Sequence, residues 1–133
     1  MKKFLIIITG IIFLTSCKDE NIDRSDPLSS GRGFIEASLK GDYVKAEKFI
    51  LEDSTNNQYL DRYKEFTAGL SPSERENYRD ADIIIDSTKT LNDSTELIYY
   101  KNTYKKEPTK LKLTKHGEEW LVDFKYTFID DSE

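Results

Sequence analysis

The spacing of apolar residues changes once along the chain, from a helical period to an alternating one. Residues 34–80 carry apolar side chains three, four or seven positions apart, whereas apolar and polar side chains alternate from Ala81 onward. A spacing near 3.6 predicts helices and a spacing of 2 predicts strands. The chain is therefore predicted to be α+β, with helices first and a sheet afterwards.

Each predicted helix carries a start or a stop sequence. The first, which contains the apolar residues of 34–39, ends before Gly41, because glycine is common just past a helix C-terminus. Asp42 then caps a second short helix. The third carries the clearest apolar stripe of the chain, made of Tyr59, Tyr63, Phe66 and Leu70. The fourth runs to about Asp80 and starts at the capping box Ser71-Pro72-Ser73-Glu74.

Four strands joined by short turns are predicted over residues 82–91, 95–104, 110–114 and 119–128. Strands that follow one another through tight turns pair antiparallel, so we expect a four-stranded antiparallel meander with the helices packed on its apolar face. Asp123 falls on the alternation opposite to Trp120 and Phe124 and is expected to point away from the core. In the first two strands both faces carry large apolar side chains, so their facing stays open.

Two motifs near the ends of this region resemble a known family. The first is Phe-Ile-Glu-Ala-Ser-Leu-Lys-Gly-Asp-Tyr at 34–43, followed by Ala46, and the second is Gly-Glu-Glu-Trp-Leu-Val-Asp at 117–123. With the element order, they resemble small bacterial lipoproteins that have a nuclear-transport-factor-like, or cystatin-like, domain. The resemblance implies a curved sheet wrapped round the helices as a cone. In some relatives the cone binds small molecules or catalyses isomerisation, and in many it does neither.

A cone of this kind would hold a cavity, and its candidate lining is Tyr63, Phe66, Trp120 and Phe124. Enzymes with the cone fold place an Asp base and Tyr donors in the cavity, and this chain has 8 tyrosines. A tyrosine ring also packs at half-buried positions while its hydroxyl reaches water. We therefore expect no catalytic residue, while a closed and wholly apolar interior would favour a pure interaction module.

The N-terminus carries an export pattern that ends at the only cysteine. Lys2 and Lys3 precede an apolar block at 4–14, and Leu14-Thr15-Ser16-Cys17 follows. The block has 11 residues, whereas a helix needs about 20 to cross the hydrocarbon core, so it is predicted to be a signal peptide. The last four residues resemble the bacterial lipobox, which implies cleavage before Cys17 and acylation of its thiol. The alternative is an ordinary secretory signal cleaved near a stray cysteine.

The chain is thus predicted to have four parts. Residues 1–16 are a lipoprotein signal peptide, 17–30 the lipidated cysteine and a flexible acidic tether, 31–128 the α+β domain, and 129–133 an acidic tail. The tether is predicted from its many charges and few apolar groups. Its start, Cys17-Lys18-Asp19-Glu20, resembles the acidic tag of surface-exposed Bacteroidetes lipoproteins. We expect the protein on the outer membrane, held by acyl chains on Cys17, and the side of that membrane stays open.

Composition and charge argue against several classes of function. Loss of residues 1–16 removes Lys2 and Lys3 from the 20 basic side chains and leaves 18 against 25 acidic ones, a formal charge of −7. This balance argues against a nucleic-acid partner. The only histidine, His116, falls in a predicted turn, so hydrolase triads and zinc sites lack suitable groups. The sequence has no glycine-rich phosphate loop, and neither a metal nor a cofactor is predicted.

A cluster of lysines in the second half has two interpretations. On the solvent-exposed face of a sheet, lysines keep the protein soluble and discourage pairing between sheets. A basic face could also meet an anionic partner, and we favour the first interpretation. The cluster consists of Lys101, Lys105, Lys106, Lys110, Lys112 and Lys115.

The expected function is that of a lipid-anchored cell-envelope protein with a non-catalytic domain that binds a small molecule or an envelope protein. One alternative is a small-molecule enzyme of the isomerase or cyclase kind with the same fold. The other is an inhibitor or accessory subunit of an envelope complex.

Overall fold

The structure is a computed structural model that describes residues 21–129. The predicted signal peptide, Cys17 and all of the acidic tail except Ile129 lie outside the described residues. Four helices precede four strands and a short 3-10 helix, so the predicted α+β order is confirmed. In chain order the elements are α1 (Pro27–Leu39), α2 (Tyr43–Glu47), α3 (Ser54–Ala68), α4 (Pro72–Arg79), β1 (Ile83–Asn92), β2 (Thr95–Asn102), β3 (Thr109–His116), β4 (Glu119–Asp123) and η1 (Phe124–Phe128).

The strands form one open antiparallel sheet in the order β1-β2-β3-β4, so the predicted meander is confirmed. Two of its hairpin turns lie at the same end, where Asn92 pairs with Thr95 and His116 with Glu119. We call this the turn end, and the opposite end, where β2 passes into β3, the open end. Gly117 makes the second turn with a φ of +62°, a conformation that glycine adopts without strain.

The core lies between the sheet and α1. Ile98, Leu111, Leu113 and Val122 of the sheet pack with residues of α1 and of the segment that follows it, including Phe34 and Phe49. The packing is close, since a Cβ on Gly33 would lie 2.4 Å from Cζ of Phe49. Ile83, Ile85 and Tyr100 pack against the same cluster, which settles the facing that the sequence left open in β1 and β2.

The outer edge of β4 is covered by other parts of the chain. The amide of Val122 donates to the carbonyl of Phe49 (2.8 Å), and the amide of Leu51 donates to the carbonyl of Val122 (2.9 Å). Nearer the turn end, the amide of Trp120 donates to the carbonyl of Arg24 (2.9 Å). The strand therefore has hydrogen-bond partners on both sides.

The prediction of a flexible tether up to Ser30 was wrong from Ile22 onward, because Ile22 packs on the core, Arg24 bonds to β4 and α1 begins at Pro27. The side chain of Asp26 accepts from the amide of Ser29 (2.9 Å), and the Ser30 hydroxyl donates to the carbonyl of Trp120 (2.7 Å). The polar residues that suggested solvation instead cap the helix and anchor it to β4. The third helix also begins earlier than its apolar stripe, because Asp53 caps it within the polar stretch.

The fourth strand was predicted too long. It ends at Asp123, and residues 124–128 form η1. Their alternating aromatic side chains have the spacing that is typical of a strand. Contacts with the helices explain the difference, since Phe124 packs edge-on against Phe34 (5.1 Å) and Phe128 stacks on Tyr59 (4.9 Å). Asp123 lies outside the hydrophobic cluster, as expected, but it is only 6% exposed and does not face solvent.

Candidate ligand-binding cleft

A cleft at the open end consists of two adjoining cavities that share Ser38, Leu39, Tyr63 and Tyr78. The larger one, of about 420 Å³, lies among the C-terminal ends of α1 and α3 and the helix α4; we call it the helix-side cavity. The smaller one, of about 300 Å³, lies among α1, β2 and η1; we call it the sheet-side cavity. Volumes of this order suit small-molecule sites.

Tyrosine hydroxyls line both cavities in apolar surroundings. Burial, with smaller contributions from Tyr43 and Tyr78, raises the pKa of Tyr63 to about 12. Burial, with a smaller contribution from Tyr63, also raises the pKa of Tyr100. Neither the Tyr63 nor the Tyr100 hydroxyl hydrogen-bonds to another residue within 21–129. Both hydroxyls therefore stay protonated over the physiological range and have a proton to donate.

Thr127 is also among the residues that line the sheet-side cavity. Its Oγ1 atom is buried and has no hydrogen-bond partner among the described residues. A buried hydroxyl without a partner costs free energy, so most such groups in proteins are bonded. The Tyr43 and Thr67 hydroxyls of the helix-side cavity, in contrast, bond to each other at 2.5 Å.

The charged side chains that line the helix-side cavity are all cationic: Lys40, Lys64, Arg75 and Arg79. Lys40 and Lys64 are paired with Glu36 and Glu47 respectively. Within residues 21–129, neither Arg75 nor Arg79 takes part in an ion pair, and Arg75 makes only a long 3.5 Å bond to the Ala68 carbonyl. The two arginines stand four residues apart on α4 and therefore share one face of that helix.

Helix α4 forms one wall of the cleft with little packing of its own. None of its residues is buried. Its capping box, predicted from the sequence, is present: the Ser71 hydroxyl accepts from the Glu74 amide (3.2 Å) and the Glu74 carboxylate accepts from the Ser71 amide (2.9 Å). Tyr78 meets Tyr104 edge-on at 5.0 Å. Such a helix can move with less loss of buried surface than α1 or α3.

The structure brings together two of the four predicted lining residues. Tyr63 and Phe124 both line the sheet-side cavity, with ring centroids 6.0 Å apart. Phe66 lies on α3 outside either lining and is 58% exposed. Trp120 lies near the turn end, away from the cleft, where its amide is bonded to Arg24. The predicted lining omitted Tyr78 and Tyr100, and the solitary aromatic residue of α4 is the pattern that could have pointed to Tyr78.

A buried polar cluster beside β4 is a different kind of feature. Nδ2 of Asn56, which is fully buried, lies 2.9–3.2 Å from Leu51 O, Asp53 Oδ2 and Asp123 Oδ1, so its two N–H groups are shared among three acceptors. Its Oδ1 accepts from the Lys125 amide at 2.7 Å. Lys125 Nζ lies 2.6 Å from Asp123 and 3.3 Å from Asp53. The bond to Asp123 is the main cause of the raised pKa of Lys125. The hydrogen bond from the backbone amide of Asn56 is the main cause of the lowered pKa of Asp53. With its donors and acceptors paired, this cluster holds α3 on β4.

The lysine cluster is largely partnered. Lys101 pairs with Asp86 (3.0 Å) and Lys112 with Asp123 (3.7 Å), while Lys105 lies over the Tyr104 ring (5.2 Å) and Lys110 over the Tyr126 ring (4.8 Å). Residues 21–129 contain no group of three or more side chains suited to hold a metal ion. No helix in that range is long and apolar enough to cross a bilayer.

Comparisons with protein-family models, with curated proteins and with solved structures found no match. What the cleft does is therefore argued from its own residues.

Proposed function

We propose that this chain is a lipid-anchored protein of the bacterial outer membrane whose α+β domain, curved as in nuclear-transport-factor-like proteins, binds a small molecule in the cleft without transforming it. The observation that carries the proposal is the pair of adjoining cavities in which the Tyr63, Tyr100 and Thr127 hydroxyls have no partner among the described residues. A bound molecule with polar atoms would satisfy the two tyrosine hydroxyls. The proposed anchor is the acylated thiol of Cys17.

The chemistry of the walls favours an apolar molecule with an anionic end. The sheet-side cavity offers the rings of Phe34, Phe124 and Phe128 to an apolar body. Arg75 and Arg79, which have no acidic partner within 21–129, stand at the helix-side cavity and suit a carboxylate, sulfonate or phosphate.

Binding without catalysis fits the titratable groups of the cleft. A general acid or base works best with a pKa near the operating pH, and burial moves the pKa of Tyr63 away from neutrality, to about 12. Glu107 is the one carboxylate among the described lining residues, and it is exposed. A turnover screen with sterol and polyketide substrates tests this part: turnover abolished by Tyr63→Phe or Tyr100→Phe would establish the isomerase-like alternative.

Fluorescent probes test the cleft directly. The neutral N-phenylnaphthylamine and the anionic anilinonaphthalenesulfonate are titrated into the full chain, into Ser38→Phe, which fills the junction of the two cavities, and into the control Val44→Phe. Val44 is 72% exposed on α2, outside both cavities. We expect Ser38→Phe to weaken both probes about tenfold, a loss of about 1.4 kcal/mol, and Val44→Phe to bind as wild type. Equal binding by Ser38→Phe and wild type would contradict the proposal.

A pair of arginine variants tests whether the cleft prefers an anionic molecule. Arg79→Gln should weaken the anionic probe about fivefold, because a charge-assisted contact is lost, and leave the neutral probe unchanged. Arg62→Gln, an exposed arginine of α3 outside both linings, is the control. Equal weakening of both probes would mean that Arg79 contributes shape rather than charge.

The anchor is tested separately. Cys17→Ala should abolish labelling by radioactive palmitate and release the protein into the soluble fraction, since stable attachment needs two or more acyl chains in the bilayer. Unchanged membrane retention of Cys17→Ala would refute it.

A further inference from the structure

The segment before α1 is fixed to the turn end of the sheet. The Arg24 carbonyl accepts from the Trp120 amide (2.9 Å), and its guanidinium donates to the Lys48 carbonyl (2.7 Å) and to Glu119 (2.8 Å). Ile22, two residues earlier, packs against the core cluster. The chain is therefore held to the folded body from about Ile22 onward.

Little chain is left between this attachment and the proposed anchor. Five peptide steps join Cys17 to Ile22, and even a fully extended chain covers only about 18 Å in five steps. A domain tethered so closely has a restricted choice of surfaces that it can present to the bilayer.

The attachment and the cleft lie at opposite ends of the sheet. Trp120 pairs with Lys115, one position from the His116–Glu119 pair that closes the turn end. The sheet-side cavity is lined by Tyr100, Asn102 and Thr109 at the open end. The six residue steps from Lys115 to Thr109 along β3 span about 20 Å.

We propose that the turn end lies against the phospholipid headgroups and that the cleft opens away from the membrane, so that it is loaded from water rather than from the bilayer. This inference rests on the acyl anchor at Cys17 of the proposed function. The short link and the fixed segment at Arg24 set the orientation together, because neither alone would keep one end of the domain at the surface.

Energy transfer to labelled headgroups tests the orientation. The acylated full chain is purified from membranes and reconstituted into vesicles of phosphatidylethanolamine and phosphatidylglycerol that carry a headgroup acceptor dye. Donor dyes are attached at Glu118→Cys or at Glu107→Cys, two exposed glutamates just beyond opposite ends of β3. An acylated Cys17 has no thiol for the donor to label. With the ends about 20 Å apart, we expect transfer from position 118 to exceed that from position 107 about twofold.

The outcomes separate this inference from the proposed function. Co-flotation of the protein with the vesicles is measured first, and its absence would overturn the anchor and the orientation together. Co-flotation with equal transfer from both positions, or with more from 107, would overturn the orientation while the anchor stands.

A further variant tests the role of the fixed segment. Arg24→Ala should reduce the difference between the two positions toward equality, because it removes two of the bonds that hold the segment at the turn end. Arg32→Ala, an exposed arginine of α1, should keep the full difference. An undiminished difference in Arg24→Ala would show that the segment does not set the orientation.

Discussion

The polar side chains at the two ends of α3 differ in whether they have hydrogen-bond partners. At its N-terminus, the fully buried Asn56 side chain has four polar partners, of which Asp123 and the Lys125 amide tie the helix to β4 and η1. Toward its C-terminus, the Tyr63 hydroxyl lies in the cleft without a partner among the described residues. The first arrangement uses the partners of each group to fix the fold, and the second leaves bonding capacity for something else. The contrast separates polar groups that hold the fold from polar groups whose bonding capacity the described residues leave unused.

The largest effect is expected at the N-terminal end. Asn56→Ala removes the hydrogen bonds that Asn56 makes to Asp123 and to the Lys125 amide. We therefore expect a loss of about 3 kcal/mol in the free energy of unfolding. Urea unfolding measures it. Asn57→Ala, the exposed neighbour, should change stability by less than about 0.5 kcal/mol. Equal small losses in both variants would show that the cluster is not what holds α3 on β4.

The pH dependence of Tyr63 gives the next largest effect. Its pKa is about 12 in the folded protein against 10.0 as the reference value, so the unfolded chain loses this proton first. The protonated Tyr63 therefore contributes to the free energy of unfolding below pH 10, and about 2 kcal/mol of this contribution is lost as the pH rises from 10 toward 12. Tyr63→Phe should be as stable as wild type at neutral pH and should lose less stability over that window. The same alkaline loss in both proteins would contradict the raised pKa of Tyr63.

Valine substitutions at two threonines of the cleft should change the stability in opposite directions. Thr67→Val removes bonds to the Tyr43 hydroxyl and to the Lys64 carbonyl and should destabilise by about 1 kcal/mol. Thr127→Val removes a buried hydroxyl that has no partner among the described residues and should stabilise by up to about 1 kcal/mol. Thermal unfolding of the pair measures both, and a destabilised Thr127→Val would mean that its hydroxyl is already satisfied.

The smallest effect concerns α4. Ser71→Ala removes the capping bond to the Glu74 amide and should weaken this helix by less than about 1 kcal/mol. Because α4 buries none of its residues, the change should speed hydrogen exchange of its own amides and leave global unfolding unaltered. A matching loss of global stability would show that α4 folds as one unit with the core.

Features that depend on neighbours in the chain could be predicted from the sequence. The capping box at Ser71, the glycine after α1 and the meander each follow from local hydrogen bonding or from the alternation of side chains. Gly41, for example, has a φ of +71° just past the helix end, as the sequence indicated.

Features that depend on distant residues could not be predicted in this way. The start of α1 follows from its local Asp26 cap, but the attachment of α1 to β4 depends on the bond from Ser30 to Trp120, ninety residues away. Likewise, the aromatic alternation after Asp123 became η1 because of contacts with Phe34 and Tyr59 on the helices. The cleft combined Tyr63 and Phe124, which were predicted, with Tyr78 and Tyr100, whose proximity only the packing of α4 and the facing of β2 determine.

The central claim is that the cleft at the open end is the binding site, and tyrosine ring resonances test it most directly. The full chain, with isotopically labelled tyrosine, is titrated with anilinonaphthalenesulfonate and followed by NMR. The account predicts that the resonances of Tyr63, Tyr78 and Tyr100 shift together. Those of Tyr99 and Tyr126, which lie toward the other face of the sheet, should stay in place. Shifts confined to Tyr99 and Tyr126, or none at a saturating probe concentration, would contradict it.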